Sequence, residues 1–145
     1  MKKLAIVLLL VMGCTRQAVV GSPDPNAPGA PSPREALTKF MAAGKAQNLE
    51  AMADIWGSSS GPVRSTMSRD VWEMRAAISI RCLKHDSYKV LGEAPAAGGE
   101  RVLAVEVTYG TLTRTSNFVV TRGPGDRWYV RIFDVDPLQS ICSAR

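Results

Sequence analysis

His85 is the single histidine in a chain of 145 residues, and Asp86 follows it. A histidine becomes a general base when a carboxylate from elsewhere in the fold orients it and a nucleophile sits within reach. A sequence neighbour supplies neither. His85 and Lys84 read instead as positive charge at a helix C-terminus, where the macrodipole favours it. A zinc centre gathers several His, Cys or carboxylate ligands at one point. With one histidine and three cysteines, Cys14, Cys82 and Cys142, no such set forms, and neither a metal nor a cofactor is expected. GSSSGP, at 57–62, is not a phosphate loop, because no Gly-Lys-Ser/Thr follows at the required offset. Trp56, Trp72 and Trp128 each sit in an amphipathic pattern that a buried core explains, and together they are also candidates to line an apolar pocket.

The formal charge is +5. Without Lys2 and Lys3 it is +3, from sixteen Lys and Arg against thirteen Asp and Glu. The remaining cations are scattered and form no dense run, which argues against a nucleic-acid partner. Lys2 and Lys3 precede the apolar run Leu4–Met12 (LAIVLLLVM), closed by Gly13 and Cys14. Nine residues rise only ~14 Å as a helix against a hydrocarbon core of ~30 Å, so a cleaved export signal is expected rather than a spanning anchor. Val11-Met12-Gly13-Cys14 resembles the lipobox of bacterial lipoproteins, with Met12 a less usual occupant of its position. The resemblance implies cleavage before Cys14, a thioether-linked diacylglycerol on it and acylation of the new amine. Several acyl chains together anchor firmly to a membrane. Thr15, where an Asp would favour inner-membrane retention, suggests the outer membrane, facing the periplasm. That compartment permits disulfides, and the even remainder, Cys82 and Cys142, favours a bridge.

These residues need elements to position them. Thr15 to Pro33 holds Pro23, Pro25, Pro28, Pro31 and Pro33, a density that blocks helix and sheet and favours extended backbone. The expected organisation is a signal at 1–13, a lipidated cysteine and proline-rich tether at 14–32, and a single domain at 33–145. Ser32-Pro33-Arg34-Glu35 is a capping box with proline at the first helical position, and Leu37, Phe40, Met41 and Gly44 then recur at helical spacing. Asn48 caps a shorter helix with Leu49, Met52, Ala53 and Trp56 on one face. Ser68 starts a third helix to about Leu83, with Val71, Met74, Ala77, Ile78, Arg81 and Cys82 on one side. From Tyr88 the period changes to two. Strands are expected at Tyr88–Leu91, Val102–Tyr109, Thr113–Arg122 and Trp128–Val135, with Ala94–Glu100 and Gly123–Asp126 as connections. Leu138 and Ile141 are placed to fold back over the end of the third helix and bring Cys142 to Cys82.

Three helices followed by a strand meander predict an α+β fold: helices packed on a curved, cone-like four-stranded antiparallel sheet. In element order, and in the segment PREALTKFMAAGKAQNLEAMADIW (33–56), the chain resembles nuclear transport factor 2-like domains, whose helices and concave sheet enclose a pocket. Catalytic members of that group commonly use a buried acidic base. The resemblance therefore makes Glu106, Asp134 and Asp54 candidate bases and Tyr88 or Tyr109 candidate donors. The alternation of a one-sided sheet instead puts Glu106 and Asp134 on a solvated face or opposite Arg114 or Arg131. Three functions follow: a non-enzymatic envelope lipoprotein offering a surface to a protein partner, a binder of a small apolar ligand, or an isomerase- or hydratase-like enzyme. The first is favoured, and the chain is not expected to be an enzyme.

Overall fold

In the computed structural model, Asp24 and residues 26–145 are described; Cys14 and the 1–13 segment lie outside that span. Helix α1, Pro33–Lys45, begins where the capping box places it: the Ser32 hydroxyl accepts from the Glu35 N–H at 3.2 Å and donates to the Glu35 carboxylate at 3.1 Å. Its buried face is Ala36, Leu37, Phe40, Met41, Ala43 and Gly44. Helix α2, Leu49–Ile55, is capped by the Asn48 side chain, which accepts from the Ala51 N–H at 3.0 Å. GSSSGP then makes a two-stranded hairpin, β1 (Gly57–Ser58) and β2 (Gly61–Pro62), leading into the single turn α3, Val63–Thr66.

Helix α4, Arg69–Ile80, corrects the expected face. Trp72, Ala76 and Ile80 are buried, whereas Val71 lies at the surface and Met74 and Ile78 are 60% and 65% exposed. The helix carries two apolar stripes at helical spacing, and the one bearing Trp72 turns inward where α4 packs on α2. Ser68 occupies the N-cap position, but its hydroxyl makes no capping bond. Past Ile80 the chain tightens into a 3₁₀ turn, Arg81–Leu83, which seats Leu83 against α1. A Cβ added at Gly44 would stand 2.6 Å from Leu83 Cβ, so that crossing requires glycine.

Strands β3 (Ser87–Pro95), β4 (Arg101–Tyr109), β5 (Leu112–Arg122) and β6 (Trp128–Phe133) pair in sequence order as an antiparallel meander. β3 continues four residues beyond the expected Leu91, accommodated by a bulge between Val90 and Gly92. Leu103, Val105 and Val107 of β4 and Phe118 and Val120 of β5 form the buried face against the helices. A fifth helix, α5 (Gln139–Ser143), follows the sheet, so the helices are not all N-terminal. The architecture is mixed α+β around a four-stranded antiparallel sheet.

The proline-rich segment is also shorter than its composition implied. Ala30 is buried and bridges Trp128, donating and accepting at 2.9 and 2.8 Å. The Arg127 guanidinium donates to the carbonyls of Ala27, Pro28 and Gly29. The folded body therefore starts before Pro33, and the Gly29 carbonyl also accepts from Lys39 Nζ at 3.0 Å.

Candidate functional site

A cleft of about 380 Å³ opens between the helices and the end of β6. Its buried lining comes from five elements: Phe40 of α1, Met52 of α2, Gly57 of β1, Val63 of α3 and Phe133 of β6. Half-buried Trp56 and Met67 line it as well, and Ile132, Val135, Arg75 and Arg131 reach it from exposed positions. The volume falls in the range of small-molecule sites, which are mostly apolar with a few placed polar groups.

A bulge builds one wall. Phe118 pairs with Phe133 and Val119 with Ile132, but Val120 pairs with Val130, leaving Arg131 as the extra residue. An extra residue in one strand shifts the side-chain alternation. Val130 and Phe133, three residues apart, both turn inward, while Arg131 and Ile132 are exposed. Phe133 stacks on Phe118 at 5.3 Å between ring centroids and meets Phe40 edge-on at 5.9 Å. The bulged Arg131 is clamped by Glu100, with Nε and Nη2 donating to the two carboxylate oxygens at 2.6 and 2.9 Å. These bonds hold its guanidinium protonated above its ordinary range, burial opposing them. The Arg131 carbonyl accepts from the Trp56 indole at 3.2 Å, fixing the ring beside the cleft.

Of the expected pocket residues, only Trp56 lines this cleft. Trp72 is buried, with the guanidinium carbons of Arg64 and Arg69 each 5.8 Å from its ring centroid. Those arginines are tied to Glu50, Asp54 and Glu73, so Asp54 is one member of a surface charge network. Trp128 is buried, with Arg122 over its ring at 4.9 Å. Tyr109 packs half-buried at the end of β4, and the Tyr88 hydroxyl lies 3.4 Å from Thr38 Oγ1. Glu106 is on the opposite strand face from Val105 and Val107, in register with Lys89 and Thr115. Asp134 is exposed in a neighbouring hollow, where its carboxylate accepts from Asn117 Nδ2 at 3.2 Å. Neither opposite-charge pairing expected for these two is made: Arg131 goes to Glu100, and Arg114 donates to the Thr113 carbonyl. The structure does not gather the candidate acids into one site.

His85 is also accounted for locally. It is buried, its Nδ1 is 2.8 Å from the Leu83 carbonyl, and its ring meets Tyr88 edge-on at 5.4 Å. Asp86 turns away and accepts from the Gly110 N–H at 2.7 Å. Among the described residues no three His, Cys, Asp or Glu side chains group to hold a metal ion, and no helix is long and apolar enough to cross a membrane.

The chain matches no family model, no curated protein and no solved structure. The reading of the site therefore rests on its own chemistry. Among the described residues the cleft lining contains no carboxylate, histidine or cysteine; its polar side chains include Ser58, Thr66, Ser79 and the two arginines. Such a lining shields apolar groups from water and donates hydrogen bonds, but holds no group that would accept a proton near neutral pH. The sequence signal that was missed is the pair of aromatics Phe40 and Phe133, which only become neighbours through the bulge.

Proposed function

We propose that the protein is a cell-envelope lipoprotein, anchored through acylated Cys14 to the periplasmic face of the outer membrane, and that its domain is a non-enzymatic binder of a small apolar ligand. In this reading the domain is of the nuclear transport factor 2-like kind, with the cleft as its pocket. The observation that carries it is the cleft's composition: apolar at its buried surface, without a proton acceptor. The lipobox-like Val11-Met12-Gly13-Cys14 supports the anchor. The isomerase- or hydratase-like reading needs an acid in the pocket, and Glu106 and Asp134 do not line it. A protein partner is the second reading, favoured by the exposed stripe Val71, Met74 and Ile78 on α4.

The test uses protein matured in its own envelope. Its intact mass should start at an acylated Cys14, and 1-aminoanthracene should show saturable, one-to-one emission enhancement. Ser79→Trp, which fills the cleft from α4, should abolish that signal. An unmodified Cys14 overturns the anchor; dye binding that survives Ser79→Trp, or no saturable binding, overturns the pocket.

A further inference from the structure

The cleft has an asymmetric charge distribution. Its buried part, formed by Phe40, Met52, Val63 and Phe133, presents only carbon and sulfur side chains. Two guanidinium groups line it from exposed positions. Arg131 is neutralised by the bidentate Glu100 clamp. Arg75, on α4, makes no ion pair and no side-chain hydrogen bond among the described residues, although Arg64 and Arg69 of the neighbouring turns are each held by carboxylates. No carboxylate lines the cleft; the adjacent Asp134 faces a separate hollow and is engaged by Asn117. Exposed Ile132 and Val135 continue the apolar surface outward beside these cations.

An apolar floor with one uncompensated cation at its edge is complementary to a molecule with an apolar tail and an anionic head. We propose that the ligand is a single-chain amphiphile with a carboxylate or phosphate head, its chain in the cleft and its head on Arg75. The inference rests on the pocket reading above and adds the ligand's chemical class. Arginine suits the role because its planar donors match an oxyanion in pairs. The hydroxyls of Ser79, one helical turn from Arg75, and of Thr66 supply further donors at the same cleft. Exclusion works by the same terms: a cationic head would be repelled by Arg75, and a neutral head would lack the ion–ion attraction and the paired oxyanion geometry.

Methionine methyl resonances read occupancy directly. Among the six methionines, Met52 and Met67 line the cleft, Met41 lies in the core away from it, and Met74 is exposed on α4. The full chain, held in phosphatidylcholine nanodiscs, is titrated with decanoate, decanol and decyltrimethylammonium, which share a chain length and differ in head charge. Decanoate should shift Met52 and Met67, leave Met41 and Met74 in place, and bind about tenfold or more tighter than the cation, the scale of a charge-assisted hydrogen bond. Arg75→Gln, a surface change, should weaken decanoate about tenfold and leave decanol unchanged. Equal binding of all three, or decanoate indifferent to Arg75→Gln, overturns the anionic-head inference while the apolar pocket stands. If none of the three moves Met52 or Met67, both fall.

Discussion

At the residue scale, the chain's most suggestive chemistry is absorbed by structure. His85 donates from Nδ1 to the Leu83 carbonyl from a buried position, and the carboxylate beside it serves the Gly110 turn. Tyr129 is the titratable group whose environment gives a solution prediction. It is buried, and burial raises its phenol above the ordinary 10.0, with the Arg127 charge opposing. The folded state therefore keeps this proton at pH values where the unfolded chain has lost it. Its contribution to stability is complete below pH 10.0 and declines as pH rises from there through the folded value. Urea midpoints measured from pH 8 to pH 11 should fall across that window in the wild type and fall less in Tyr129→Phe. Equal alkaline slopes in the two proteins would show that Tyr129 ionises freely. The hydroxyl's 3.5 Å contact with the Pro28 carbonyl is long, so its loss should cost little at pH 8.

At the scale of elements, the sequence signals with short-range physics are those realised most directly. An N-cap needs only four residues: the Ser32 hydroxyl accepts from the Glu35 N–H and donates to the Glu35 carboxylate. Period-two alternation across Leu103, Val105 and Val107 needs only one buried face, and all three are buried. α4 is different, because its own sequence offers two apolar stripes and only the neighbours choose between them. The 26–30 segment is different again. It lies in the proline-rich stretch that reads as a tether, yet Arg127, about a hundred residues later, donates to three of its carbonyls. Arg127→Ala should release this segment at a cost of about 2 kcal/mol, the scale of hydrogen bonds to a charged group. Amide exchange at Gly29 and Ala30 checks it: their N–H groups donate to Asp54 and Trp128 carbonyls and should exchange faster in the variant. Unchanged protection at Ala30 would mean that the bridge to Trp128 holds the segment alone.

At the scale of the whole molecule, Cys82 in the turn after α4 is linked to Cys142 in the C-terminal helix, 60 residues away in sequence. Their sulfur atoms lie at bonding distance, 2.08 Å, with Cα atoms 4.0 Å apart. Leu138, which ends the 3₁₀ turn Asp136–Leu138, and Ile141 of α5 are fully buried, and α5 packs on the Arg81–Leu83 turn. Lys84 adds a hydrogen bond to the Ala144 carbonyl at 2.8 Å. Closing a loop of this length restricts the unfolded chain by about 4 kcal/mol on the chain-entropy model, a large part of a small domain's stability. The double variant Cys82→Ala/Cys142→Ala should lose an amount of that order in denaturant unfolding. Non-reducing peptide mapping of the mature protein should recover the two cysteines in one linked fragment; two alkylatable thiols there would defeat the oxidised pairing.

The sequence by itself determined α1, α2, α4 and the four strands of the meander in their order, because capping, helical spacing and strand alternation are decided within a few residues; the β1–β2 hairpin, α3 and α5 were not legible in it. It also carried the lipobox-like pattern at Cys14 and the even pair of remaining cysteines, which are local or countable features. The tertiary structure alone decided the site. Phe40 and Phe133 stand 93 positions apart in the numbering and meet only because a bulge at Arg131 breaks the alternation that local reasoning relies on. The same bulge exposes Arg131, which pairs with Glu100; Arg75, on α4, makes no ion pair among the described residues. Which acids matter was undecidable from alternation for the same reason: period two assigns a residue to a face of the sheet, whereas a pocket is closed by other elements whose packing no single strand encodes.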